Sequence, residues 1–187
     1  MTLLILGLML WFSAHLFRRV APDGRQALSD RMGDASKGVI AITLIVSVVL
    51  MVFGYKAFDG PFWWGRNAAL VGINNILMLL AVYLFAASGT QTWITSKIRH
   101  PQLTGFKLWC VAHLLVNGDL ASFILFGGLL IWAVVEVIVL NRVTEDPRQP
   151  KEDWPLKNEA RAIVGTIVVF AVISGVHSWL GYNPFGA

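Results

Sequence analysis

Several side chains able to bind a metal or move a proton stand inside otherwise apolar runs of this chain. The histidines are His15, His100, His113 and His177, and the one cysteine is Cys110. His15 and His113 lie deep in apolar sequence, where a strongly polar side chain is costly and points to a task. Two imidazoles on different membrane helices at similar depth, packed by aromatic rings, are what a membrane-embedded haem requires of its protein. His15 has Trp11 and Phe12 one turn before it and Arg18 and Arg19 one turn after, so an aromatic-lined pocket closed by cations is available on that helix. The face of His113 also carries Phe106, Trp109 and Cys110, with Asn117 one turn on. Those residues offer ring packing and a hydrogen bond to orient a ligand imidazole. The ordinary alternatives are a backbone-bonded or interface-seeking His15 and a His113 that bonds to a neighbouring helix.

The other polar residues read differently. His100 precedes Pro101 and points about 220° around a helix from His113, as a helix-entry or interfacial residue does. His177, beside Ser178 and Trp179, fits an interfacial anchor. Asn74, Asn75 and Glu136 need partners inside their runs; Arg142 is a cation for Glu136 to reach, and Lys107 snorkels to the surface.

These residues must be positioned by membrane helices. Of the 187 residues 56% are apolar and 14% charged, with eight tryptophans, a balance unlike that of a soluble domain. The net charge of +4 is not gathered into a basic tract, which excludes a nucleic-acid surface, and a lone cysteine excludes a disulfide-stapled fold. A bilayer core of about 30 Å takes roughly 20 helical residues. Residues 2–20, 38–55, 66–87, 120–141 and 160–180 qualify; 102–117 is shorter and more polar, and "NGD" leaves only a tight turn before the next run. The expected fold is therefore all-α, a single membrane domain over 1–187 with six transmembrane helices.

The cations set the orientation. Arg18, Arg19, Arg25, Arg31 and Lys37 lie in the first connection, Lys97, Arg99 and Lys107 around the third, and Arg142, Arg148, Lys151, Lys157 and Arg161 in the fifth; only Lys56 and Arg66 fall in the alternate ones. That asymmetry places both termini outside, with helix one a retained anchor and not a cleaved signal peptide. In a bacterial cell the host bilayer would be the inner membrane. His15 then lies roughly 20 Å below the outer surface and His113 roughly 15 Å above the inner one, a depth difference of only ~5 Å. The aromatic loops "DGPFWWGR" and "HSWLGYNPF" suit the outer interface, and "RVTEDPRQPKEDWPLKNEAR" reads as a solvated linker.

The tract "RHPQLTGFKLWCVAHLL" followed by "NGDLASFILFGG", with "HLFRR" in helix one, resembles the NnrU family of multi-pass membrane proteins over nearly the whole chain. That family is associated with denitrification and nitric-oxide metabolism, and it is similar to the plant and cyanobacterial 15-cis-zeta-carotene isomerase, a membrane enzyme that uses haem b. The resemblance implies haem b with iron ligands at His15 and His113. Arg18, Arg19, Trp109 and Asn117 join them as cofactor-binding candidates. The implied ligand is nitric oxide or a polyene, within membrane lipid and with a membrane-protein partner as a further expectation. After "CVAH" the sequence departs from the isomerase, so haem binding transfers better than substrate. "RHPQLTG" also looks like the entry tract of small isoprenylcysteine or phospholipid methyltransferases, whose paired glutamates are missing at "GYNPFGA". A non-catalytic membrane partner of a respiratory complex is the third reading.

Overall fold

A computed structural model describes residues 1–146, 148 and 154–186. Its helices in chain order are α1 (Thr2–Val20), α2 (Pro22–Met32), α3 (Ala35–Lys56), α4 (Ala68–Thr90), α5 (Trp93–Lys97), α6 (Pro101–Val116), α7 (Leu120–Val143) and α8 (Leu156–Trp179). Among the described residues the architecture is all-α apart from two very short extended segments, Phe62–Trp64 and Gly118–Asp119. Among the described residues five helices, α1, α3, α4, α7 and α8, are long and apolar enough to cross a membrane. The sixth expected span is α6, whose 16 residues rise only about 24 Å. The chain forms two compact units, Met1–Phe62 with Asp119–Val143, and Trp63–Gly118 with Thr144–Ala187.

In the first unit α1 packs along α3, and the close approach requires small residues. A β-carbon on Gly7 would stand 2.7 Å from the Ser47 carbonyl oxygen, and one on Gly54 would run into the backbone of Leu3 and Leu4. Apolar area gives membrane helices little reason to associate, so this backbone-to-backbone fit is a main source of their attraction. The 18–37 stretch, expected as a connecting loop, instead contains α2. Pro22 starts it at the first helical position, and Gly33, at a φ of 54°, ends it, the usual asymmetry of such signals. None of its residues is buried.

Helix α7 begins from Asp119, whose Oδ1 accepts from the Ser122 amide at 2.8 Å and whose Oδ2 accepts from the Ser122 hydroxyl at 2.6 Å. Tyr55 from α3 shares a hydrogen bond with the same hydroxyl at 2.9 Å. One wide π turn, Phe123–Gly127, interrupts the helix before Gly128.

The second unit is organised by α4, which packs against both α6 and α8. Gly105 of α6 lets the helices touch, since a β-carbon there would lie 2.7 Å from the Ala81 carbonyl oxygen. His100 is the cap before Pro101, and its carbonyl accepts from the Thr104 amide at 2.9 Å and hydroxyl at 3.0 Å, in keeping with the helix-entry role. Glu159 in the first turn of α8 accepts from the Trp93 amide at 2.7 Å and the Tyr83 hydroxyl at 3.0 Å. Helix α8 starts at Leu156, earlier than expected, so Lys157 and Arg161 are helical; Lys151 lies outside the described residues. Before it, outside the membrane-spanning helices, the Arg148 guanidinium donates to the Asp146 carboxylate and holds its pKa down at about 2.

Candidate functional site

His15 is held by a cluster from α1 and α7 in the first unit. Trp11, His15 and Arg19 follow at intervals of four and so share one face of α1. Trp132 and Glu136, also four apart, present the matching face of α7. The His15 ring lies 4.3 Å from the Trp11 ring and 4.7 Å from the Trp132 ring, centroid to centroid, and the two indoles meet edge-on at 5.3 Å. His15 Nδ1 lies 3.0 Å from the Trp11 carbonyl oxygen. A carbonyl only accepts, so Nδ1 carries the hydrogen and Nε2 of the neutral ring keeps its lone pair.

Beneath the rings is a buried ion pair. Arg19 Nη1 stands 2.6 Å from Glu136 Oε1, and the Glu136 side chain is only 6% exposed. The same nitrogen donates to the His15 carbonyl oxygen at 3.2 Å. Glu136 Oε2 is buried with no hydrogen-bond partner. The expectation that Glu136 reaches Arg142 is thus corrected: its partner is Arg19, because α1 packs against α7. Arg19 therefore takes part in the His15 cluster, whereas Arg18 is exposed.

His113 is positioned by α6 in the second unit. Its Nδ1 lies 2.9 Å from the Trp109 carbonyl oxygen, which again leaves Nε2 as the lone-pair nitrogen. The Trp109 and His113 rings are 4.9 Å apart, and Phe106 continues the stack at 5.1 Å from Trp109. Trp109 thus both packs and orients the imidazole. Asn117, expected to orient the ring, instead donates its Nδ2 to the His113 backbone carbonyl at 2.9 Å. The Asn117 amide donates to the same carbonyl at 3.0 Å, so Asn117 closes the end of α6 with two bonds. Cys110 is fully buried one turn away.

The asparagines of α4 also find partners. Asn74 donates to Asn75 Oδ1 at 3.1 Å, and Asn75 donates to the Pro184 carbonyl at 3.2 Å. Arg66 Nη2 holds the Asn183 carbonyl at 2.5 Å, and the Phe170 and Phe185 rings meet at 6.3 Å, so the carboxyl-terminal segment is fastened to its own unit. His177 follows the pattern of the other two rings, with Nδ1 2.8 Å from the Ile173 carbonyl oxygen.

No group of three or more His, Cys, Asp or Glu residues converges as a metal site among the described residues. The donor chemistry nevertheless fits an iron porphyrin, which asks the chain for single imidazole nitrogens, aromatic packing and a carbonyl to fix each ring. His15 and His113 each meet those three requirements within their own unit. Trp132 and the Arg19–Glu136 pair were missed in the sequence; the spacing of four between Trp132 and Glu136 was the available sign of a shared face.

No curated protein and no solved structure matches the chain. A family model described as NnrU protein matches residues 3–184. With that match over nearly its whole length, and with five helices among the described residues long and apolar enough to cross a bilayer, the chain belongs to the NnrU family.

Proposed function

We propose that this NnrU protein is a haem b-binding protein of the bacterial inner membrane, with six spans and both termini outside, and that His15 and His113 provide the iron ligands. The observation that carries the reading is the state of the two imidazoles. Each is clamped by its Nδ1–H to the carbonyl one turn back, beside an indole, which puts the lone pair of the neutral ring on Nε2, the nitrogen a metal would take. The charge asymmetry of the connections supports the topology, and α6 is short enough to need cover from its neighbours, which α4 supplies in its own unit.

A bound iron porphyrin supplies an electrophilic, redox-active centre for nitric oxide or for the central double bond of a zeta-carotene-like polyene, chemistry that ties the protein to denitrification or to cis–trans isomerisation. The chain's own work is to orient the rings, to exclude water with Trp11, Trp132, Trp109 and Phe106, and to set local charge through Arg19 and Glu136. The test is the visible spectrum of the full chain purified in mild detergent after expression with ample haem, oxidised and reduced. Low-spin haem b bands are expected in the wild type, weakened or lost in His15→Ala and His113→Ala. A colourless wild type would sink the reading.

A further inference from the structure

We propose that segment 181–186 is a re-entrant strap. It turns back from the end of α8 into the bilayer, covers the polar pair Asn74 and Asn75 of α4, and opens by swinging out about Gly181. The strap is independent of any haem, and all its residues belong to the second unit. Two helices give its depth separately. The Pro184 carbonyl accepts from Asn75 Nδ2 at 3.2 Å, and Asn75 stands eight residues beyond the Asn67 cap, about 12 Å along α4. The Phe185 ring meets that of Phe170 at 6.3 Å between centroids, and Phe170 stands nine residues before Trp179, where α8 ends, about 13.5 Å along that helix. Helices α4 and α8 pack together, and both are long and apolar enough to cross a membrane. By either measure the strap lies well inside a hydrocarbon core of about 30 Å.

Non-helical backbone is tolerated at such depth only where protein satisfies its polar groups, and the strap's hydrogen bonds answer that demand. The Gly181 and Tyr182 amides donate to the Ser178 and His177 carbonyls at 3.1 and 2.8 Å. The Phe185 amide donates to Asn183 Oδ1 at 3.0 Å, and Pro184 has no amide hydrogen to satisfy. The Asn183 carbonyl accepts from Arg66 Nη2 at 2.5 Å, next to the Pro184 carbonyl held by Asn75. Water would serve a solvated segment equally well without Arg66 or Asn75. The side chains turned outward are aromatic, with Tyr182 61% and Phe185 59% exposed, a surface that suits lipid.

The same contacts give the strap two positions. Asn74 is buried and donates to Asn75 Oδ1 at 3.1 Å, so a line of hydrogen bonds runs from the interior of α4 out to the Pro184 carbonyl. Lifting the strap takes the acceptor from Asn75 Nδ2 at membrane depth, which favours the closed position. Beyond the turn the strap is tied down through side chains, at Arg66, Asn75 and Phe170. It pivots on Gly181, whose φ of 89° is a conformation that other residues reach with strain. Swung out, Tyr182 and Asn183 stand at the membrane interface, where a tyrosine is favoured and water replaces both side-chain donors. Opening uncovers an amide donor beside an aromatic ring.

The test uses the full chain in lipid nanodiscs, in a Cys110→Ser background, with single new cysteines and a water-soluble maleimide. A thiol in apolar surroundings stays neutral and unreactive, so Phe185→Cys is expected to react about tenfold more slowly than Trp179→Cys at the end of α8. Gly181→Ala strains the turn outside the helices, and Asn75→Leu removes the donor. Each should raise the Phe185→Cys rate several-fold with helicity unchanged. Equal rates at positions 185 and 179 in the parent, or a slow rate at 185 that neither variant raises, overturns the proposal. A second readout does not depend on rates: Phe170→Cys with Phe185→Cys should be joined by a short bifunctional thiol reagent, and less so once Gly181→Ala is added. Absence of that cross-link in a folded protein also overturns the proposal.

Discussion

Replacing Arg19 by alanine should destabilise the first unit strongly. Glu136 is 6% exposed at its side chain and has Arg19 at 2.6 Å on one oxygen, while its other oxygen already lacks a partner. Removing the guanidinium would leave both oxygens without their charge partner in a buried place. Breaking a buried pair on one side typically costs about 3–5 kcal/mol. Arg19 is itself 28% exposed, so water can enter part of the space it leaves, and the lower end, about 3 kcal/mol, is expected. Glu136→Gln keeps an oxygen for Arg19 and should cost about 1–2 kcal/mol. Replacing both residues, as Arg19→Met with Glu136→Leu, should recover most of the loss, because no buried charge is then left alone. The assay is reversible unfolding of detergent-solubilised protein by a denaturing detergent, followed by helicity and by tryptophan fluorescence, to which Trp11 and Trp132 beside the pair contribute two of eight indoles. An Arg19→Ala effect below about 0.5 kcal/mol, within the usual range of a surface substitution, would refute the reasoning. So would a double variant no better than the sum of its single changes.

Gly54→Ala should push α1 away from α3, since its new carbon meets backbone of Leu3 and Leu4; a loss of about 1–3 kcal/mol would appear as a lower unfolding midpoint. Gly72→Ala, where an added carbon meets nothing within 4 Å, is the matched control and should be neutral or slightly stabilising. Asp119→Ala removes the cap that serves the Ser122 amide and should cost about 1 kcal/mol, with faster amide exchange confined to the first turn of α7.

The spanning helices were legible because length and apolar content decide them almost alone: the run expected at 2–20 is the helix found at Thr2–Val20. The His100 entry was legible too, since Pro101 restricts the residue before it. Helix α2 was missed although its signals were present, with Pro22 and Gly33 at its two ends. Charge counting treats any polar stretch between apolar runs as loop. The partner of Glu136 could not be read at all, because it depends on which faces α1 and α7 turn to each other. Arg142 was close in sequence, but six residues along a helix is about 240° around it, which points away.

The π turn at Phe123–Gly127 gives α7 two bearings. One residue is accommodated there beyond what an α-helical turn would hold, so everything after it is out of phase with the start of the helix by about 100°. Before the turn, Ser122 meets Tyr55; after it, Trp132 and Glu136 meet α1. An uninterrupted helix that kept the first contact would swing the second pair off the His15 cluster. The turn thus works as a phase shifter, and shortening the segment 123–127 by one residue would let α7 close into a regular helix with both bearings kept.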